Sequence, residues 1–272
     1  MRAVNVAGMT PAPAQKRWPA PSAAPVIIPL GRVLIVLAML GVWHWASGRL
    51  VAPIWISDPV DVAARIRTWI GDGTLSRNLG ATAAAWAGGF AIGGIAGILV
   101  GFVLGVAPVA DRVLAPYLAA LYGLPKLALL PLLVIAFGIG LQSKIALVAV
   151  VIFFITLQAT RDGVRDIDPD LIANLRIMGA RRHELLAKVL LPATLPWIYN
   201  GLRISVSITL VTTVGGEVLS SNRGLGYLIA SSAARFDTAG VFAAAVVLIV
   251  ISLAVNALLT RTEASSSAWR GR

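Results

Sequence analysis

The sequence predicts an all-α, polytopic membrane protein with six transmembrane helices, on three observations. Hydrophobic residues make up 58% of the 272 and charged residues only 13%, against roughly 45–50% and 25% in a soluble domain. The apolar residues gather into runs long enough to cross a bilayer, which takes about 20 residues per helix. The basic residues sit at the ends of those runs with a bias. With the N-terminus inside, 14 fall on inner segments and 7 on outer ones, which fits six spans with both termini cytoplasmic. The formal charge of +11 is therefore read as membrane orientation and contact with lipid. Nucleic acid is not an expected partner, because no basic, aromatic-interleaved soluble domain accompanies the charge. With no cysteine in the chain, disulfides and thiolate metal sites are excluded.

Residues 1–25 carry Pro11, Pro13, Pro19, Pro21 and Pro25 beside Lys16 and Arg17. Such a composition cannot bury a core and predicts a disordered cytoplasmic tail. A cleaved signal peptide is the alternative, against which stand the late apolar run and the lack of a small-residue cleavage site. The transmembrane region is expected over 26–260. Its first span, 26–47, has Arg32 snorkelling to the inner interface, with Trp43, Trp45 and Trp55 as an aromatic belt on the far side. Asp58-Pro59 then starts a short helix on the outer surface.

The second span, 79–106, carries Gly89, Gly93, Gly97, Gly101 and Gly105, every fourth residue. That file makes one bare helix face on which a neighbouring backbone packs closely, either another span or a second copy. Asp111-Arg112 reads as a turn. The third span, 113–138, contains Pro116, Pro125 and Pro131 and must be a broken helix. Lys126 lies at the break; it either faces an aqueous path or snorkels to the cytoplasmic surface. After the Gly138-Ile139-Gly140 turn the fourth span runs over 144–160. The fifth, 196–214, holds Arg203 among hydroxyl residues, with the same two readings as Lys126, and Gly215-Gly216-Glu217 ends it. Glu217 is placed at the outer mouth, paired with Arg223 or Arg235. Gly224-Leu225-Gly226 follows without a preceding strand or a third glycine, so it is no dinucleotide site. The sixth span covers 240–259, and 261–272 forms a cytoplasmic C-terminal tail.

Between the fourth and fifth spans lies a polar island, the loop 161–192. Asp168 suits an N-cap and Pro169 the first helical position. Leu171, Ile172, Leu175 and Met178 then fall on one face, and Gly179 can end that helix in a left-handed conformation. A second short helix follows from Arg181, Arg182 and His183, and Pro192 opens the next span. Periodicity alone allows either a docking helix or an interfacial amphipathic helix.

Gly179, nine residues, then Val189-Leu190-Leu191-Pro192 resembles the second half of the signature loop of binding-protein-dependent ABC importer permeases. That signature runs Glu-Ala-Ala, three residues, Gly, nine residues, Ile, any residue, Leu-Pro; here Ala173-Asn174-Leu175 replaces its first half. The run from Leu124 to Lys144 and the stretch from Glu217 to Ile229 are similar to the branch that serves nitrate, sulfonates, taurine and bicarbonate. The resemblance implies the type I ABC importer permease fold, with a cytoplasmic coupling helix formed by Leu171, Ile172, Leu175, Met178, Gly179, Arg181, Arg182 and Pro192. It implies a homodimer in the bacterial inner membrane. The partners would be a cytoplasmic dimer of ATP-binding subunits, which carry the ATP and Mg, and an extracytoplasmic substrate-binding protein.

No catalytic or metal-binding cluster stands out, and no GxxxxGK[ST] loop is present to cradle ATP. The chain reads as a conduit rather than an enzyme, with no cofactor of its own. Its solute is expected to be a small anion, with Lys126, Arg203 and Glu217 as candidates to line the path. A neutral or cationic vitamin precursor is the alternative. A secondary transporter would need two internally similar halves, which the sequence lacks.

Overall fold

The computed structural model describes residues 24–267, with side chains from 28 to 257. Most of the expected N-terminal tail and the last five residues thus lie outside the described residues. The chain divides into two units, Met1–Ala46 and Ser47–Arg272. The described part of the first is α1 (Ala24–Ala46). Its side chains from Ile28 onward are apolar nearly all round and exposed or half-exposed, as suits a helix in lipid.

The second unit is helical throughout its ordered elements. Two short helices, α2 (Pro53–Ile56) and α3 (Pro59–Gly71), lead in. Asp58 caps α3 by accepting the Val60 N–H at 2.8 Å, with Pro59 at the first position. Then come α4 (Thr74–Val106), α5 (Pro108–Gly123), a 3₁₀ turn at Lys126–Leu129 and α6 (Leu130–Phe137). These are followed by α7 (Leu141–Arg165), α8 (Pro169–Ile177), α9 (Arg182–Leu185), α10 (Leu191–Leu219), α11 (Leu225–Ala234) and α12 (Thr238–Ser267). Among the described residues, 5 helices are long and apolar enough to cross a membrane, or 6 if the bent pair α5–α6 crosses as one. Helices satisfy their backbone groups internally, which a bilayer demands.

The centre of this unit is α7. Along it, each glycine of the α4 file meets the next turn. A methyl group at Gly89 would strike Ile145 and Val148, at Gly93 Ala149 and Ile152, at Gly97 Phe153 and Thr156, at Gly101 Leu157 and Thr160, and at Gly105 Val164. Residue numbers rise together, so α4 and α7 run parallel, and the obstacles include the Ile145, Ala149, Phe153 and Leu157 carbonyls. The file therefore packs within the subunit. On another side of α7, α10 runs antiparallel: Trp197 meets Gly163, Gly201 meets Ala159, and Gly216 meets Leu147.

Four expectations change. Asp111 and Arg112 are not a turn but lie inside α5, because Pro108 starts that helix directly after Ala107. The second short helix of the polar island is no separate element. Arg182 to Leu219 is one helical run, with a π-turn at Leu186–Leu190 immediately before Pro192. Such a wide turn accommodates the hydrogen bond and the space that the proline ring denies. Gly215-Gly216-Glu217 does not end the fifth span, which continues to Leu219. Finally, α11 was not anticipated, since its ten residues follow a glycine-rich loop and carry no self-supplied cap. The broken third span does occur, with 87° between its two halves.

Candidate functional site

The loop between α7 and α10 carries a helix closed at both ends. Asp168 accepts the Asp170 N–H at 2.8 Å, and Pro169 begins α8. At the other end Gly179 takes φ +89°, while the Ala180 N–H reaches the Leu175 carbonyl and the Gly179 N–H that of Arg176, each at 3.0 Å. That is a Schellman closure. It leaves Ile177 and Met178 projecting, 84% and 82% exposed, with Leu171 also exposed. Ile172 and Leu175 are half-buried. The anticipated apolar face therefore splits, and Ile177 joins the tip because the left-handed glycine turns the chain away directly after Met178. Arg181 and Arg182 are exposed at the start of the next helix, where the Arg181 N–H donates to Glu184 at 3.0 Å.

The broken span forms an elbow at Gly123-Leu124-Pro125. Beneath it, between α5 and α7, lies a cavity of about 240 Å³ lined by Ala115, Leu118, Tyr122, Phe154, Gln158 and Arg161, among others. Lys126, just past the bend, donates to the Tyr122 carbonyl and sits 4.6 Å from the Tyr122 ring centre and 5.6 Å from that of Phe154. Phe154 precedes the end of α7 by about three turns, ~16 Å along the axis. There the ammonium is half-buried. Arg203 is also half-buried, two residues beyond the Gly201–Ala159 contact, which puts it at a similar depth.

The hydroxyl residues near Arg203 point elsewhere. Ser205, Thr209 and Thr213 are buried against their own helix, donating to the carbonyls of Gly201, Ser205 and Thr209 at 2.7 Å. Thr209 also accepts the Trp86 indole N–H at 2.9 Å. These groups fasten α10 and leave only Ser207 and Thr212 of the set outside the core.

At the base of α5 stands Asp111, its only buried residue. Its carboxylate pairs with Arg161 and Arg165 from the last turns of α7. Sequence reasoning missed this triad because Asp111 looked like a turn residue, though the Arg161–Arg165 spacing of four was visible as one helix face.

Glu217 does not shape a mouth with Arg223 or Arg235. It is buried, 1% exposed, and its carboxylate accepts the Thr82 hydroxyl at 2.8 Å and the Gly226 N–H at 2.9 Å. The Leu225 N–H donates to Thr82 Oγ1 at 2.9 Å, and the Gly224 N–H to Asn78 Oδ1 at 2.8 Å. The N–H groups of the N-cap Gly224 and of the first two residues of α11, which need partners from somewhere, are thus capped from outside the helix, by α4 and α10. The glycines are required. A Cβ at Gly224 would overlap the Glu217 carboxylate, and one at Gly226 the Val214 carbonyl. Gly224 also has φ +120°.

A family model described as binding-protein-dependent transport system inner membrane component matches residues 89–265. The taurine transport system permease protein TauC of Escherichia coli K12 is 30% identical over 260 residues, 94% of each chain. The riboflavin transport system permease protein RibX of Chloroflexus aurantiacus is 32% identical over 242 residues, 85% of this chain and 90% of that one. A structure of the MetNI methionine ABC transporter aligns with TM-score 0.60 at 23% identity, covering 70% of this chain and 94% of its counterpart, a likeness of fold. With coverage of this breadth, the chain belongs to the inner-membrane permease family of binding-protein-dependent ABC importers.

Proposed function

We propose that this permease is one half of a homodimeric path for a small anion, driven by ATP-binding subunits that grip α8. The observation that carries the reading is the α8 tip. Leu171, Ile177 and Met178 form an exposed apolar surface on a helix rigidly closed at both ends and joined through α9 to the long α10 run. An apolar surface on a short polar loop is a docking surface. Both termini and α8 are cytoplasmic, as the bias of basic residues supports. A binding protein delivers the solute from the other side. Movement of the ATP-binding subunits shifts α8, and the packed helices rock between two states.

Met178→Asp tests this. The change leaves the fold alone, because Met178 touches little within the subunit, but it places a carboxylate in the partner's groove. Burying an unpaired charge costs several kcal/mol. Expected are a normal melting temperature, weakened assembly with the ATP-binding subunits and loss of most uptake. Wild-type uptake and wild-type stimulation of ATP hydrolysis would overturn the assignment.

The anionic solute is supported by the cations at the elbow, Lys126 and, at similar depth, Arg203; the relative whose name gives taurine adds a solute that is a zwitterion overall but carries an anionic sulfonate group. Fixed charges beside an aqueous path attract a counter-ion weakly enough to let it leave. Lys126→Met is expected to cut uptake of an anion at least about tenfold, equivalent to 1.4 kcal/mol, with ATP hydrolysis and assembly unchanged. Undiminished anion uptake, or uptake of a neutral vitamin alone, would remove the anion from the reading and leave the importer.

A further inference from the structure

The Asp111–Arg161–Arg165 triad has no role in the scheme above, yet one of its members, Arg161, lines the elbow cavity. Arg161 does two things at once: its side chain lines the cavity, and its guanidinium pairs with the buried Asp111. We propose that the cavity between α5 and α7 is a binding site for a small oxyanion held by Arg161, and that Asp111 competes with that anion for the guanidinium. The proposal rests on the importer reading for the anion's route.

The chemistry favours an oxyanion. The lining offers one guanidinium, the Gln158 amide, the Tyr122 phenol and no carboxylate, and the Lys126 ammonium hangs over the Tyr122 and Phe154 rings at the rim. A guanidinium has five donors, and Asp111 takes the Nε and Nη2 edge of Arg161, so an oxyanion gains a foothold on the remaining edge and pulls the shared positive charge away from Asp111. The one carboxylate that reaches Arg161, Asp111, is shared with Arg165, so it does not neutralise the Arg161 guanidinium alone. Gln158 is exposed although it lies about two turns inside the end of α7. An amide at that depth is not turned to hydrocarbon without cost; it marks a polar compartment.

The arrangement also joins the cavity to the docking loop. Arg165 is three residues before Asp168, the cap of α8. An anion on Arg161 draws the guanidinium from Asp111, which then leans on Arg165 alone. Because Asp111 is the sole buried residue of α5, that exchange frees the base of the helix whose other end carries the elbow. Asp111 is therefore a positioning residue, acting through the two arginines.

The test uses the permease assembled with its ATP-binding subunits and freed of binding protein, with labelled methanesulfonate as the probe and dimethyl sulfone as the uncharged match in shape. Saturable methanesulfonate binding is expected, resistant to excess dimethyl sulfone. Arg161→Gln should weaken it at least about tenfold, the loss of one charge-assisted contact. Asp111→Asn should tighten it, an outcome that a merely structural Asp111 would not produce. Gln158→Leu, which alters no ion pair, should weaken binding several-fold at an unchanged melting temperature, and serves if either charge variant fails to fold. Absent binding, equal affinity for the sulfone, full affinity in Arg161→Gln or Gln158→Leu, or weaker binding in a folded Asp111→Asn would each overturn the site. Failure of the importer reading would look different: uptake by the complete complex would not depend on ATP.

Discussion

Replacing Glu217 with leucine is expected to destabilise the protein by about 2–6 kcal/mol. The change leaves two buried donors, the Gly226 N–H and the Thr82 hydroxyl, each costing about 1–3 kcal/mol when unpaired. Thr82 links the loss onward, since it also receives the Leu225 N–H. The outer caps of α11 would weaken together. Glu217→Gln retains one acceptor oxygen and should lose less. Gly224→Ala approaches the damage from the other side, because its methyl would overlap the carboxylate and φ +120° suits few residues other than glycine. Thermal unfolding in detergent reads all three. A melting temperature for Glu217→Leu within a degree of wild type would mean that the N-terminus of α11 is held by something else.

Gly97→Leu is expected to be at least as damaging. Overpacking a core ordinarily costs about 1–3 kcal/mol because side chains yield. Here the first obstacles are Thr156 Oγ1 and the Phe153 carbonyl, followed by the Leu157 nitrogen, and backbone yields only if α4 and α7 separate along their length. Such separation would also strip contacts at Gly93 and Gly101. The control is Gly80→Leu on the same helix, where nothing lies within 4 Å. Folded yield and unfolding temperature should fall sharply for Gly97→Leu and stay level for Gly80→Leu. Equal behaviour of the two would contradict the α4–α7 packing.

These two sites show what could be read in the sequence. The glycine file was legible because a strict period of four on an apolar helix has one physical use, close approach, though not the identity of the neighbour. That neighbour, α7, is remote in sequence and parallel, and nothing local specifies it. Asp168, Pro169 and Gly179 were legible for the same reason, as each residue type satisfies a local backbone need. Glu217 was misread. Its partners, Thr82 and Gly226, lie 135 and 9 residues away, and an acid beside arginines in sequence invites an ion pair that the fold does not make. Asp111 likewise reads as a turn residue, because a one-residue connection between α4 and α5 leaves no signal beyond Pro108. Pro192 is expected to open the next span, but the helix runs through it and the π-turn at Leu186–Leu190 absorbs the ring.

The central claim is that the α8 tip is where ATP-driven motion enters this subunit. The chain has no cysteine, so Met178→Cys supplies a single reactive thiol without further engineering. Its cross-linking to a cysteine placed in the surface groove of the ATP-binding subunit, measured in the reconstituted importer, tests the claim most directly. The account predicts a high-yield cross-link that blocks uptake, and recovery of uptake when the link is reduced. Absence of any cross-link across a panel of groove positions, in an importer that still takes up solute, would contradict it.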